Sequence, residues 1–390
     1  MHPLTSSISL SKSALSNSLI LGGWIVLWLM VFELIIYFTV PPAPVTTQGN
    51  KLQNYFEYGR SVEGKLFRMI APTDEATAPI AQAGWLIPQK WQDRPRVPET
   101  SGGILIANYG MSFAQHVGQV LAQHAHITLR FVGGPGAPPN HTYTAFLLDQ
   151  HQHQAQVVLM GIQASRVDGM LTVTSMNSAF EYPMPFTYPK YHISAQGLEA
   201  LWPSVRSLTE LRQVMADNTL WQNYVHQLKK VDQFYDPFLF EHNISDYSVL
   251  IRFIRRAWSK NVHERVAETI YGPQGFNEAA EAIKALKVMV VNFAQQARRQ
   301  GLLPILMLFN NRGYADHLYQ ALAEPIREAN IPTMSTHTLA PADEPRHFRA
   351  DSHFTHKANK KFAQEILTLI EQHLPQFSTQ QDSDNTAPSL

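Results

Sequence analysis

The chain has 390 residues, 45% of them hydrophobic and 16% charged, with 31 basic side chains balanced by 31 acidic ones. A net charge of zero leaves no bulk field to draw nucleic acid or an acidic partner, and the lack of cysteine excludes disulfides, thiolate metal sites and cysteine nucleophiles. This apolar share suffices for one large domain or two ordinary ones.

Residues 1–18 form a tail with Lys12 and no acid. Leu19 to Val40 (residues 19–40) follows, 22 residues with the single charge Glu33. At 1.5 Å per residue such a helix spans roughly the 30 Å hydrocarbon core. Trp24 and Trp28 stand near one end and Tyr37 near the other, where interfacial aromatics gather. The run is longer than a signal-peptide core and leaves through Pro41-Pro42 rather than a small-residue cleavage site, so an uncleaved single-pass anchor is expected. Lys12 biases the tail to the cytoplasm and the body to the extracytoplasmic side, periplasmic or cell-surface. Glu33, near the end of the run, either snorkels to the interface or meets another helix.

Residues 41–101 read as linker and stalk: Pro41 to Gln48 extended, then helix over Lys51 to Ile70. Residues 102–165 open with the apolar run Ile104-Leu105-Ile106-Ala107, a break at Asn108-Tyr109-Gly110, then Ser112 and a helical pattern through Phe113, Val117, Val120 and Leu121. Strand, sharp turn and helix with a serine at the turn is where α/β folds put nucleophiles; it is also where a serine caps a helix. A second strand, His126 to Val132, ends in Gly133-Gly134-Pro135-Gly136. A third, Val157 to Met160, ends in Gly161-Ile162-Gln163-Ala164-Ser165. Strands so spaced predict parallel βαβ units whose loops converge at one sheet edge.

Residues 166–275 read as a mostly helical insertion covering that edge, with helices at Leu208–Val231 and Ser248–Ile270. Glu181 to Tyr191, dense in proline and aromatics, is expected to be an ordered loop. Alternation returns over 276–375: helix Phe276–Gln300 stopped by Gly301, buried strand Leu302–Phe309, helix Tyr314–Asn330, strand Ile331–Met334 and closing helix Lys357–Leu374. Residues 376–390 form a polar tail, expected to be disordered.

Immediately before the closing helix stands Asp351-Ser352-His353. A protonated serine hydroxyl is a weak nucleophile at neutral pH; a histidine can take its proton, and a carboxylate beside the ring fixes the tautomer and stabilises the imidazolium. Gly110-Met111-Ser112-Phe113, Gly133-Gly134, Gly161-Ile162-Gln163-Ala164 and Asp351-Ser352-His353 fall in the order of the four blocks of the SGNH (GDSL-type) hydrolases, which the chain resembles over about 102–165 and 276–374. Met111 replaces the family's usual aspartate, and Gln163 stands where the family has an oxyanion-binding asparagine.

The resemblance implies a doubly wound, mainly parallel α/β fold of flavodoxin-like type. It also implies a Ser112–His353–Asp351 triad and an oxyanion hole from the N–H groups of Ser112 and Gly134 with the Gln163 amide. The implied activity is that of a serine esterase or O-acyltransferase working through an acyl-enzyme, with neither cofactor nor metal. By analogy with anchored relatives, the substrate is an acylated, chiefly acetylated, cell-surface glycan or a small ester, and the partners are the membrane and other membrane proteins of an envelope-polysaccharide pathway. Met111 and Gln163 motivate an alternative, a degenerate domain that binds glycan or a partner protein without turnover; the nearby bilayer motivates a third, a lipid-directed hydrolase.

Other residues have plainer readings. His356, one helical turn beyond His353, is the rival base. His151, His153, His124 and His126 lack a carboxylate cluster and read as solvated loop residues. Asn140-His141-Thr142 satisfies the N-glycosylation pattern. The aromatics of Glu181–Tyr191 suit packing or sugar stacking.

Overall fold

The computed structural model describes residues 12–40, 51–71 and 77–374. The expected linker Pro41–Gln48 and the tail from Gln376 lie outside the described residues.

Five strands form one parallel sheet: β1 (Ile104–Gly110), β2 (Ile127–Gly133), β3 (Val157–Gln163), β4 (Leu303–Phe309) and β5 (Thr333–Ser335), in spatial order β5-β4-β3-β1-β2. Every residue of β1 and β3 is buried, which is why these strands read as apolar runs rather than alternating ones. Helices cover both faces. α3 (Pro139–Asp149), α5 (Glu281–Arg299) and α6 (His317–Glu328) pack on one through Phe146, Phe293 and Leu322; α2 (Ser112–Leu121) and α7 (His356–His373) pack on the other through Val117, Phe362 and Ile366. The strand order reverses between β1 and β3, the place where open α/β sheets bind ligands beyond their C-terminal edge. α1 (Lys12–Thr39) contains a 24-residue stretch, Ser16–Thr39, in which an 18-residue window reaches a mean hydropathy of 2.4, long and apolar enough to cross a bilayer.

A buried polar cluster ties β1, β2 and α3 together. Arg130 on β2 donates to Asp149 at 2.8 and 2.6 Å with both side chains fully buried, and Tyr109 Oη donates to the same carboxylate at 3.0 Å. His153 Nε2 lies 2.8 Å from Tyr109 Oη, and its Nδ1 accepts the Ala155 N–H at 3.2 Å. Those partners fix the Nε2–H tautomer. The solvated-loop expectation is therefore wrong for His153: its ring is buried, and burial pushes it down to about 4.

Three local expectations are also corrected. The helix expected over Lys51–Ile70 is two, Lys51–Glu57 and Val62–Met69, broken where Gly59 passes so close to Arg252 that a Cβ would sit 2.1 Å from its carbonyl oxygen. Leu208–Val231 divides into Leu208–Ala216 and Asn218–Val231, because Asp217 caps the second helix through the N–H groups of Thr219 and Leu220. Within the expected loop Glu181–Tyr191, Met184–Thr187 is a strand and Lys190–Ser194 begins a hairpin with Gly197–Leu201. Phe186 and Tyr188 are buried, so these aromatics pack. Between 166 and 275 the chain is thus helical and extended by turns. Val249–Ala267 is its longest helix, here α4.

Candidate active site

Ser112 is the first residue of α2, separated from β1 only by Met111. The capping position falls on Met111, which is fully buried in the core and makes no side-chain cap, so the reading of Ser112 as a cap is set aside. Its hydroxyl points elsewhere: Ser112 Oγ lies 2.8 Å from His353 Nε2, across 241 residues of chain. As the first residue of a helix, Ser112 has a backbone N–H with no intrahelical acceptor, and that N–H sits at the positive end of the helix dipole.

The loop that carries His353 is built tightly. Phe348 and Phe354 pair as an antiparallel bridge, and Arg349 N–H donates to the His353 carbonyl at 2.7 Å. Ser352 has a φ of +65°, a left-handed conformation that a serine adopts at a cost of about 1 kcal/mol. That turn lets Asp351 fold back, so that its Oδ1 accepts the His353 backbone N–H at 3.2 Å. Asp351 Oδ2 lies 3.4 Å from His353 Nδ1, an ion-pair distance without hydrogen-bond alignment, for Nδ1 is buried and makes no hydrogen bond. Arg349 Nη2 donates to the same Oδ2 at 2.6 Å. Slight burial pushes the Asp351 carboxyl up, and the His353 N–H, the His353 ring and Arg349 together outweigh it and hold the carboxyl below its usual range.

Two aromatic neighbours clamp the imidazole. Phe113 stacks on it with ring centroids 4.9 Å apart, and His116 meets it edge-on at 5.0 Å. Burial, then the facing His353 ring and Arg349, depress His116 and favour its neutral form. His116 and Arg349 were missed from sequence. For His116 the signal was present: it stands four residues after Ser112 on a helix, hence on the same face.

The expected oxyanion donors differ in readiness. Gly133 approaches Gly110 so closely that a Cβ would sit 1.8 Å from the Gly110 carbonyl oxygen, which explains a glycine there. The next residue, Gly134, spends its N–H on that same carbonyl at 3.3 Å, a long bond that competes with any oxyanion. Gln163 closes β3 at the C-terminal edge, mostly buried, and its amide makes no hydrogen bond among the described residues. Arg166 leans over the Gly133–Gly136 turn, with its guanidinium 2.9 Å from where a Gly136 Cβ would be.

The remaining candidates lie apart. His356 opens α7 exposed to solvent and does not meet Ser112. Asn140 is fully buried, with its amide donating to the Pro189 carbonyl at 2.9 Å, and is closed to glycosylation as folded. Among the described residues no three histidine or carboxylate side chains gather as a metal site. A cavity of about 1690 Å³ opens between the Lys51–Met69 helices and α4; of the residues named at the site's edge it shares only Arg166.

No family model, curated protein or solved structure matches the chain.

Proposed function

We propose that the chain is an SGNH-type serine esterase or O-acyltransferase, held by a single membrane span with its body on the extracytoplasmic side, acting on acetyl-type esters of a cell-surface glycan. The observation that carries the chemistry is the 2.8 Å contact between Ser112 Oγ and His353 Nε2 at the switch point of a doubly wound sheet. The glycan acceptor rests on the family resemblance and the expected side of the membrane, and other envelope-polysaccharide membrane proteins are the partners it suggests.

In this mechanism neutral His353 accepts the Ser112 proton at Nε2 while Oγ attacks the ester carbonyl carbon. Charge develops on the carbonyl oxygen, where the Ser112 N–H and the unengaged Gln163 amide can meet it; the Gly134 N–H joins once it leaves Gly110. His353 returns the proton to the departing alkoxide, leaving an acyl-enzyme. Water or a sugar hydroxyl, deprotonated by the same Nε2, then attacks the acyl carbon; the Oγ–acyl bond breaks, and His353 returns the proton to Ser112 Oγ. Asp351 orients the ring and supports its cationic form from a solvent-facing position.

A non-catalytic domain that binds glycan or a protein is the second reading. It is favoured by the engaged Gly134 N–H and the misaligned Asp351. A fluorophosphonate probe separates the two: covalent labelling lost in both Ser112→Ala and His353→Ala marks the enzyme, and a wild-type chain that does not label removes it. Hydrolysis of a short-chain p-nitrophenyl ester, abolished in Ser112→Ala, is the matching turnover test.

A further inference from the structure

The first half of α4, through Trp258, is built inside out for a protein in water, whereas beyond it Val262 is buried and Lys260 and Glu264 are exposed. Its inward side carries Arg252 and Arg255, both buried. Arg252 donates to Glu57 at 2.9 Å and to the Asp246 carbonyl at 2.7 Å; Arg255 pairs with the Asp246 carboxylate and donates to the Phe238 carbonyl at 2.7 Å. The outward side carries Phe253, Ile254 and Trp258, which are 54%, 50% and 42% exposed. Just before the helix, Ile244 and Tyr247 are 87% and 66% exposed. Surface helices place charge outward and apolar groups inward, and a contiguous apolar face marks a surface meant for something other than water.

What covers it is indicated by α1. Glu33, the one charge in the apolar run, accepts hydrogen bonds from Ser248 Oγ at 3.1 Å and Leu250 N–H at 3.0 Å, and from the Val249 N–H as well. An acid from the apolar helix thus caps the N-terminus of α4, where exposed N–H groups and the helix dipole favour a negative charge. Glu33 stands six residues before Thr39, so at 1.5 Å per residue the capped end of α4 lies about 9 Å inside the end of α1. That matches the 5–10 Å depth of interfacial amphipathic helices.

We propose that Ile244–Trp258 is a membrane-seated element: its apolar side lies in the bilayer beside α1, and Glu33 tethers it there. The inference rests on α1 being the membrane span. It means the body is docked into the lipid rather than hung from a flexible stalk. Because Phe253, Arg256, Ala257 and Lys260 of the same helix line the 1690 Å³ cavity, that cavity is held at the membrane surface.

The native chain has no cysteine, so single nitroxide labels test this in the full chain, reconstituted in phosphatidylcholine–phosphatidylglycerol vesicles. Labels would be placed through Ile244→Cys, Phe253→Cys and Ile254→Cys, with Leu29→Cys on α1 and Lys360→Cys on the exposed side of α7 as references. The expected result is a severalfold higher ratio of oxygen to nickel-chelate collisions at 244, 253 and 254 than at 360. In Glu33→Ala the label at 253 should shift toward the chelate; no shift removes Glu33 as the tether. Aqueous labels at all three positions with a lipid-buried label at 29 overturn the membrane-seated element while the anchor stands. An aqueous label at 29 overturns the anchor reading itself, and this inference with it.

Discussion

Asp351 is the place to test the proposed triad, because its geometry predicts an unusually small effect. Where the aspartate is buried and aligned with the histidine, converting it to asparagine lowers kcat about 10,000-fold, through the wrong tautomer and an unsupported imidazolium. Here the carboxylate is 46% exposed, stands 3.4 Å from Nδ1 without alignment, and shares Oδ2 with Arg349 at 2.6 Å. Solvent and salt screen such a pair, and the Phe113 stack and the paired loop already hold the ring. Asp351→Asn is therefore expected to lower kcat for a p-nitrophenyl ester by about 10–100-fold with KM little changed. Arg349→Ala should raise kcat, since it frees Oδ2 for the imidazolium. The Asp351 contribution should shrink as ionic strength rises. A loss as large as that of Ser112→Ala, unaffected by salt, would refute this reasoning and mean that Asp351 becomes buried and aligned when substrate binds.

Three further outcomes follow from other parts of the molecule. Gln163→Leu keeps the side chain's bulk without its amide and should lower kcat about 100-fold through loss of an oxyanion donor; an unchanged kcat would leave Gln163 a packing residue. Asp149→Ala strands the buried Arg130 guanidinium, and urea unfolding should register a loss of about 3–5 kcal/mol, largely recovered when Arg130→Met is added; without that recovery, the stranded charge is not the cause. Acid sensitivity should come from His141 and His153. Burial holds both at about 4, so their neutral forms contribute stability that is present above the unfolded value near 6.5 and lost as pH falls toward 4, about 3 kcal/mol each. Asp232, raised by burial to about 6, works the other way, favouring the fold below about 4 and losing that contribution as pH rises through 6. Urea midpoints should thus fall between pH 6.5 and 4, and more steeply in Asp232→Asn. An equal slope in the variant would refute the Asp232 part.

The sequence by itself determined the layered architecture. Strands buried on both faces must be apolar throughout, as Ile104-Leu105-Ile106-Ala107 and Leu303–Phe309 are, and connections of helical length between them force parallel pairing. It also marked the ends of β1, β2 and β3 and the Asp351–His353 loop as candidate points for chemistry, because glycine-rich turns and a serine after a strand are local features. The helix breaks at Gly59 and Asp217 were harder to read. The first depends on a carbonyl supplied by α4, nearly two hundred residues away.

Only the tertiary structure decided which marked residues meet. Ser112 and His353 are brought within 2.8 Å because β1 lies inside the sheet while α2 and α7 pack on the same face, a long-range arrangement that no window of sequence contains. The same packing engages the Gly134 N–H, turns Asp351 toward Arg349 and solvent, closes the glycosylation pattern at buried Asn140, and buries His153, which sequence left in a solvated loop. Glu33 is the clearest case. As a lone acid in an apolar run it could snorkel to the interface or meet another helix, and only the fold decides between them, because the N-terminus of α4 arrives to bond it.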